Sequence, residues 1–282
     1  MAISVHTNNS AMIALQNLNK TSGALADVQG HISTGLRIQN AKDNASVWAI
    51  AQGQRADIGA LASVRMSLER AQSISEVTLS AGESVSDLLV QLKEKVVAAM
   101  DPSLDAQART ALNSDFQSLL RQIKQVVDNA EFDGANMLKG TITTSIKFLA
   151  NAEATSSVTL SAKTFSMSTN GGGPYITFSY PSSNILTKTQ ASLNLARVNA
   201  SLANVNQALG DLGAQAKQIE NHTLFVNKLS DVLTAGVGNL VDADLAKESA
   251  RLQALQVQQQ LGAQALSIAN QAPQVILSLF RS

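Results

Sequence analysis

From Val47 to Ala99 apolar side chains recur every three or four positions, through Ile50, Ile58, Leu61, Val64, Leu68, Ala71, Ile74, Val77, Ala81, Val85, Leu88, Leu92 and Val96, with no proline among them. That spacing keeps one stripe on one side of an α-helix, and at 1.5 Å per residue such a helix is roughly 80 Å long. A compact globular core rarely needs an element of that length. Asp101-Pro102 stops it, because the residue before proline is pushed out of the helical region.

The remaining chain repeats the pattern. Ala11, Ala14, Leu18, Leu25, Val28 and Ile32 form a heptad interrupted at Thr21, ending near Ser33-Thr34-Gly35. Ala108, Leu112, Phe116, Leu119, Ile123 and Val126 form a shorter helix closed before Asp133-Gly134. A long stripe from Leu195 to Leu233 is expected to end at Gly236 and Gly238. The last helix is expected to start near Asp242 or Asp244 and to carry Leu245, Leu252, Leu255, Leu261, Ala265, Ile268, Ala272, Ile276 and Leu279. Residues 141–182 differ: Phe148, Phe165, Tyr175, Phe178 and Tyr180 stand there among many Ser and Thr, which is strand composition. The fold expected is mainly α, a long antiparallel helical bundle or coiled coil with both termini paired and a small β-hairpin insertion in the middle.

Charge narrows the function. Lys plus Arg equals Asp plus Glu at 21 each, and only 15% of residues are charged, so no positive field draws a polyanion or an anionic membrane. No nucleic-acid partner and no membrane insertion are expected. A surface of Ala, Gln and Asn with little self-repulsion favours association. The terminal helices are poor in charge around their circumference, and their own amphipathic faces stabilise them weakly. Leu18, Leu25, Val28, Ile32, Leu252, Leu255, Leu261, Ile268, Ile276 and Leu279 are therefore the candidate self-assembly residues.

Chemistry is hard to find in this chain. Cysteine is absent, which removes thiolate nucleophiles and sulfur-ligated metals. His6, His31 and His222 lie far apart in sequence and read as helix-surface side chains. Gly171 to Gly173 has no following lysine or helix and reads as a flexible turn. Asn199-Ala-Ser and Asn221-His-Thr fit the glycosylation pattern but fall on expected helices. Glu69, Glu83 and Glu94 read as a solvated face, and Trp48 as a buried anchor at the start of the long helix. Neither catalysis nor a cofactor is expected.

Ser33-Thr-Gly-Leu-Arg-Ile-Gln-Asn-Ala-Lys-Asp-Asn-Ala45 reads as a helix end, a glycine exit and a new helix start near Asp43 or Asn44. The same residues, with Gly35, Leu36, Arg37, Ala41, Lys42 and Asp43 in place, resemble the N-terminal connector of bacterial flagellins. The resemblance extends to Asn8–Asn19, to Phe132-Asp-Gly-Ala-Asn-Met-Leu138, and to the C-terminal stretch from Asp242-Ala-Asp-Leu-Ala-Lys-Glu248 to Leu279-Phe-Arg. Trp48 follows an alphaproteobacterial-type pattern.

That resemblance implies a filament subunit of the flagellum, exported unfolded through the flagellar type III apparatus without a cleaved signal. Residues 1–43 and 244–282 would form an inner tube and 44–243 an outer layer, with 141–182 as a short exposed insert. The partners implied are identical or sister flagellin subunits, an export chaperone, and junction and cap proteins. It also implies a receptor-recognition motif, here Leu89-Val-Gln-Leu-Lys-Glu-Lys95. Gln91 stands where the family has arginine and Lys95 where it has leucine, with Leu92, Lys93 and Glu94 between them, so recognition by the innate immune receptor is expected to be weak. A hook-filament junction protein and a non-flagellar helical adaptor are the competing readings.

Overall fold

A computed structural model describes residues 7–142, 145–167 and 173–279, with side chains in the last helix described as far as Gln271. Five helices and one hairpin follow the order α1 (Asn9–Thr34), α2 (Ala45–Ala98), α3 (Ala106–Asn129), β1 (Ser145–Leu149), β2 (Ser157–Ser161), α4 (Lys188–Val241) and α5 (Leu245–Leu279). The fold is mainly α with a small antiparallel sheet, as the periodicity and the middle composition require. The chain divides into two compact units, Met1–Ala56 with Val232–Ser282, and Asp57–Asp231, so the division falls inside α2 and α4.

Local chemistry sets the helix ends. Asn8 caps α1 by accepting from the Ala11 amide at 3.1 Å. Asn44 does the same for α2 through Val47, Asp105 for α3 through Ala108, and Asp244 for α5 through Ala246 and Lys247. Beyond α2, the Asp101 carboxylate accepts from the Ser103 amide and hydroxyl, which hold its pKa below the ordinary value.

The unit of residues 57–231 is built on a dense core. Val85, Leu89, Leu92 and Val96 of α2, Phe116, Leu120 and Ile123 of α3, and Val198 and Val205 of α4 are buried together with Phe165, Ile176 and Phe178. Phe116 meets Phe178 edge to face at 6.0 Å between ring centres. The hairpin pairs Phe148 with Val158 and Ile146 with Leu160. Its backbone is tied to helices by the Leu149 amide on Ser67 Oγ and the Ser161 amide on Gln215 Oε1.

Three expectations change. The strand composition of 141–182 yields strands only at 145–149 and 157–161; the described residues after Ser161 are irregular. Phe165 and Phe178 serve as core side chains there, while their segment is hydrogen-bonded piecemeal, Phe165 N to Leu138 O and Thr177 N to Ser201 Oγ. Secondly, α4 continues through Gly236 and Gly238 to Val241, because glycine tolerates a helix interior at modest cost. At 238 glycine has a positional reason: a Cβ there would lie 2.8 Å from Asp242 Oδ2. Trp48 is half-buried in the single chain rather than fully enclosed.

Candidate functional site: the terminal helix pair and its connector

Within the unit that carries both termini, α1 and α5 run antiparallel. Asn8 Nδ2 donates to the Ala269 carbonyl at 2.6 Å, Gln259 Nε2 to Ser22 Oγ at 3.3 Å, and His31 Nδ1 lies 3.7 Å from Glu248 Oε2. Partners that descend in α5 as they rise in α1 fix the register. Along α1 the sheltered positions are Ala11, Ala14, Leu18, Thr21, Leu25, Val28 and Ile32, the heptad of the sequence, with Val28 fully buried.

On α5 the sheltered heptad is Glu248, Leu252, Leu255, Gln259, Gly262, Leu266 and Ala269. Leu252 and Leu255 are on it as expected from spacing. Leu261 and Ile268 point away, 58% and 69% exposed. At Gly262 the pair is packed tightly: a Cβ there would lie 3.3 Å from Leu18 Cδ1, which would have to give by a few tenths of an ångström. The outward faces carry Met12, Ile13 and Leu15 on α1, and Val257 beside Leu261 and Ile268 on α5, all about half exposed or more. An open groove of about 730 Å³ follows the pair past Ile13, Leu18, Leu255 and Leu261. Ile276 and Leu279 lie outside the residues whose side chains are described.

The connector motif clasps the turn between α4 and α5. Gly35 ends α1 with φ 72°, a left-handed conformation that costs other residues energy, and its amide returns to the His31 carbonyl at 2.9 Å. Leu36 bridges Asp242, the Arg37 and Ile38 amides both donate to the Val241 carbonyl, and Ala243 donates back to Gly35. The Arg37 guanidinium donates to the Leu240 carbonyl at 3.0 Å, satisfying an acceptor at the end of α4 where positive charge is favoured. Asp43 Oδ2 accepts from the Gln39 and Asn40 amides at 2.8 and 3.1 Å. Those two bonds, with a smaller contribution from His31, hold the Asp43 pKa below its ordinary value. Ala41 and Lys42 have exposed side chains, and Lys42 takes part through its amide, which donates to Asn40 Oδ1.

The histidines are not simple surface residues. The His31 side chain is 19% exposed, and within residues 57–231 His222 Nε2 is 2.7 Å from the Ala150 carbonyl. His6 lies outside the described residues, as do Gly171 and Gly172; Gly173 turns tightly, its amide on the Ile176 carbonyl. In the receptor-motif stretch Leu89 and Leu92 are core residues, Gln91, Lys93 and Glu94 are exposed, and Lys95 pairs with Asp115 at 2.8 Å. Among the described residues there is no group of three or more His, Cys, Asp or Glu that could hold a metal, and no helix long and apolar enough to cross a membrane.

Sequence reasoning missed Glu248, Gly262 and Leu266 on the paired face, and Met12, Ile13, Leu15 and Val257 on the outward one. The expected stripe steps from Leu255 to Leu261 and Ala265, whereas unbroken 3.5-residue spacing from Leu252 leads through Gln259 and Gly262 to Leu266.

Comparison with known proteins agrees with the geometry. Residues 5–143 match the bacterial flagellin N-terminal helical region, and residues 195–280 the bacterial flagellin C-terminal helical region. Flagellin FljJ of Caulobacter vibrioides is 51% identical over 285 residues, covering 100% of this chain and 99% of its own. A flagellin of Brucella melitensis is 38% identical, covering 99% of both chains. In three dimensions, a flagellar hook-associated protein from Vibrio parahaemolyticus superposes with a TM-score of 0.58 at 13% identity, over 71% of this chain and 100% of that one, a likeness of fold. With both terminal regions matched and an end-to-end likeness to named flagellins, the chain belongs to the bacterial flagellin family, the structural subunits of the flagellar filament.

Proposed function

We propose that this subunit polymerises through the outward faces of α1 and α5, with identical or sister flagellins as neighbours. The observation that carries this reading is the division of labour on the pair: one heptad face of each helix is sheltered, while Met12, Ile13, Leu15, Val257, Leu261 and Ile268 remain in solvent in a single chain. Repetition of one such contact between unlike patches gives an open helical assembly. Leu18, Leu25, Val28, Ile32, Leu252 and Leu255 then act by holding the pair together, and Leu261 and Ile268 by touching neighbours. The terminal segments 1–43 and 244–282 form the inner layer of the filament and 44–243 the outer one. The filament is extracellular, reached by flagellar type III export with a chaperone and completed by junction and cap proteins. Receptor recognition is weak, since Leu89 and Leu92 are committed to the core and Gln91 offers no guanidinium.

Electron microscopy and sedimentation of the purified chain test the interface. The unaltered chain is expected to give long filaments. Ile268→Glu, which places a charge on the outward face, is expected to leave α1 and α5 paired by amide exchange and to abolish filaments. Normal filaments from Ile268→Glu and Leu261→Glu together would remove this face from the interface. Removing residues 245–282 is expected to abolish polymerisation altogether.

A further inference from the structure

We propose that His31 and Glu248 form a pH-dependent latch that tightens the α1/α5 pair when His31 is protonated. The inference concerns the single chain and stands apart from how subunits meet. His31 is in the last turn of α1 and Glu248 in the first turn of α5. Their side chains are 19% and 10% exposed, with Nδ1 and Oε2 3.7 Å apart. Both atoms are closed to solvent and have no hydrogen-bond partner among the described residues. Two buried polar atoms facing each other just beyond bonding distance are costly unless a proton joins them. A neutral ring carrying its proton on Nδ1 makes an uncharged-donor bond to the carboxylate. The imidazolium makes a stronger one, charged on both sides.

The helix ends act in the same direction. A positive charge is favoured at the carboxyl end of α1 and a negative one at the amino end of α5. Carboxylates accompany His31 from three segments: Glu248 of α5 at 3.7 Å, Asp43 of the connector, and Asp27, one turn earlier on α1, the last two lining with His31 a polar cavity of about 500 Å³. Arg37 and Lys42 of the connector line that cavity too, but the Arg37 guanidinium is taken up by the Leu240 carbonyl. The balance around the ring is acidic. The latch therefore contributes while the ring is charged and is lost when the ring is neutral.

Amide exchange of the full chain at pH 5.5 and pH 8.0, corrected for intrinsic rates, tests this above the ordinary carboxylate range. Opening of α1 and of the start of α5 is expected to be about fivefold less frequent at pH 5.5 than at pH 8.0. That difference should vanish in His31→Gln and in Glu248→Gln and persist in His222→Gln. A difference that survives in His31→Gln, or is absent from the unaltered chain, overturns the proposal. Should His31→Gln open the pair at both pH values, Glu248→Gln decides: a retained pH response there overturns the latch equally.

Discussion

The two units of this chain bury their apolar residues in different ways. Residues 57–231 enclose Phe116, Phe165, Phe178, Leu120, Met137 and Leu160 completely, and the irregular segment after β2 contributes two of them, Phe165 and Phe178. In the unit carrying the termini the buried apolar side chains are fewer, Val28, Ile38, Ala51, Val237 and Val241 among the described residues, while Met12, Leu261 and Ile268 face water. Burial of apolar area contributes about 25 cal/mol per Å², so the first arrangement gains more within one chain, although Met66, Leu193, Leu224 and Phe225 also face water there. A subunit of an assembly benefits from that asymmetry. On the interface proposed above, the terminal unit would gain its remaining burial from neighbours.

The largest expected effect lies in the unit with the dense core. Phe178→Ala should cost about 3–5 kcal/mol, since it removes a fully buried ring and its edge contact with Phe116. Intrinsic probes separate the units: the single tryptophan, Trp48, belongs to the terminal unit, and both tyrosines, Tyr175 and Tyr180, to the other. In urea the tyrosine transition should move in Phe178→Ala while the tryptophan transition stays. Coincident shifts would break the comparison. Gly35→Ala should act on the opposite unit, lowering the tryptophan transition by about 1–2 kcal/mol, because a Cβ there meets nothing within 4 Å and the cost is the left-handed backbone alone.

A smaller effect is expected from the pin between Lys163 and Asp211, 2.7 Å apart. Burial pushes Lys163 down, but the Asp211 hydrogen bond and the neighbouring Tyr175 raise its pKa overall above 10.5. A raised cation stabilises below its unfolded pKa and loses that contribution as pH rises through the folded one. The tyrosine transition should therefore fall above pH 10.5 in the unaltered chain, and Lys163→Met should remove that dependence while costing about 1 kcal/mol or less at neutral pH. A fall of the same size in Lys163→Met would assign the pH response to another group.

How much of this was readable in the sequence depended on whether size and register agreed. Along α1 they do from Leu18 to Ile32, where the paired positions are also the larger apolar ones, but not before it, where Met12, Ile13 and Leu15 look outward; the heptad from Ala11 to Ile32 stands as read. Along α5 they part after Leu255, because Gln259 and Gly262 occupy the paired face while Leu261 and Ile268 look outward. A helix packed closely on its partner needs a small residue where the backbones approach, so the oiliest stripe is not the inner one. Aromatic residues after Ser161 suggested strands because composition reports burial as much as backbone conformation. The connector motif was legible as a capped turn, yet its acceptors at Leu240 and Val241 are main-chain carbonyls from the other end of the chain, and no side-chain pattern announces them. Glu248 was hidden for the same reason: its meaning depends on His31, which only the folded pair brings near.

The hydrogen bond from Asn8 to Ala269 spans 261 positions of sequence. Contacts of such separation form late, since the chain entropy of closing the loop is lost before the contact gives anything back. During synthesis α1 is made first and its partner last. For nearly the whole of that time the N-terminal helix has no mate, and a chain in that condition remains threadable.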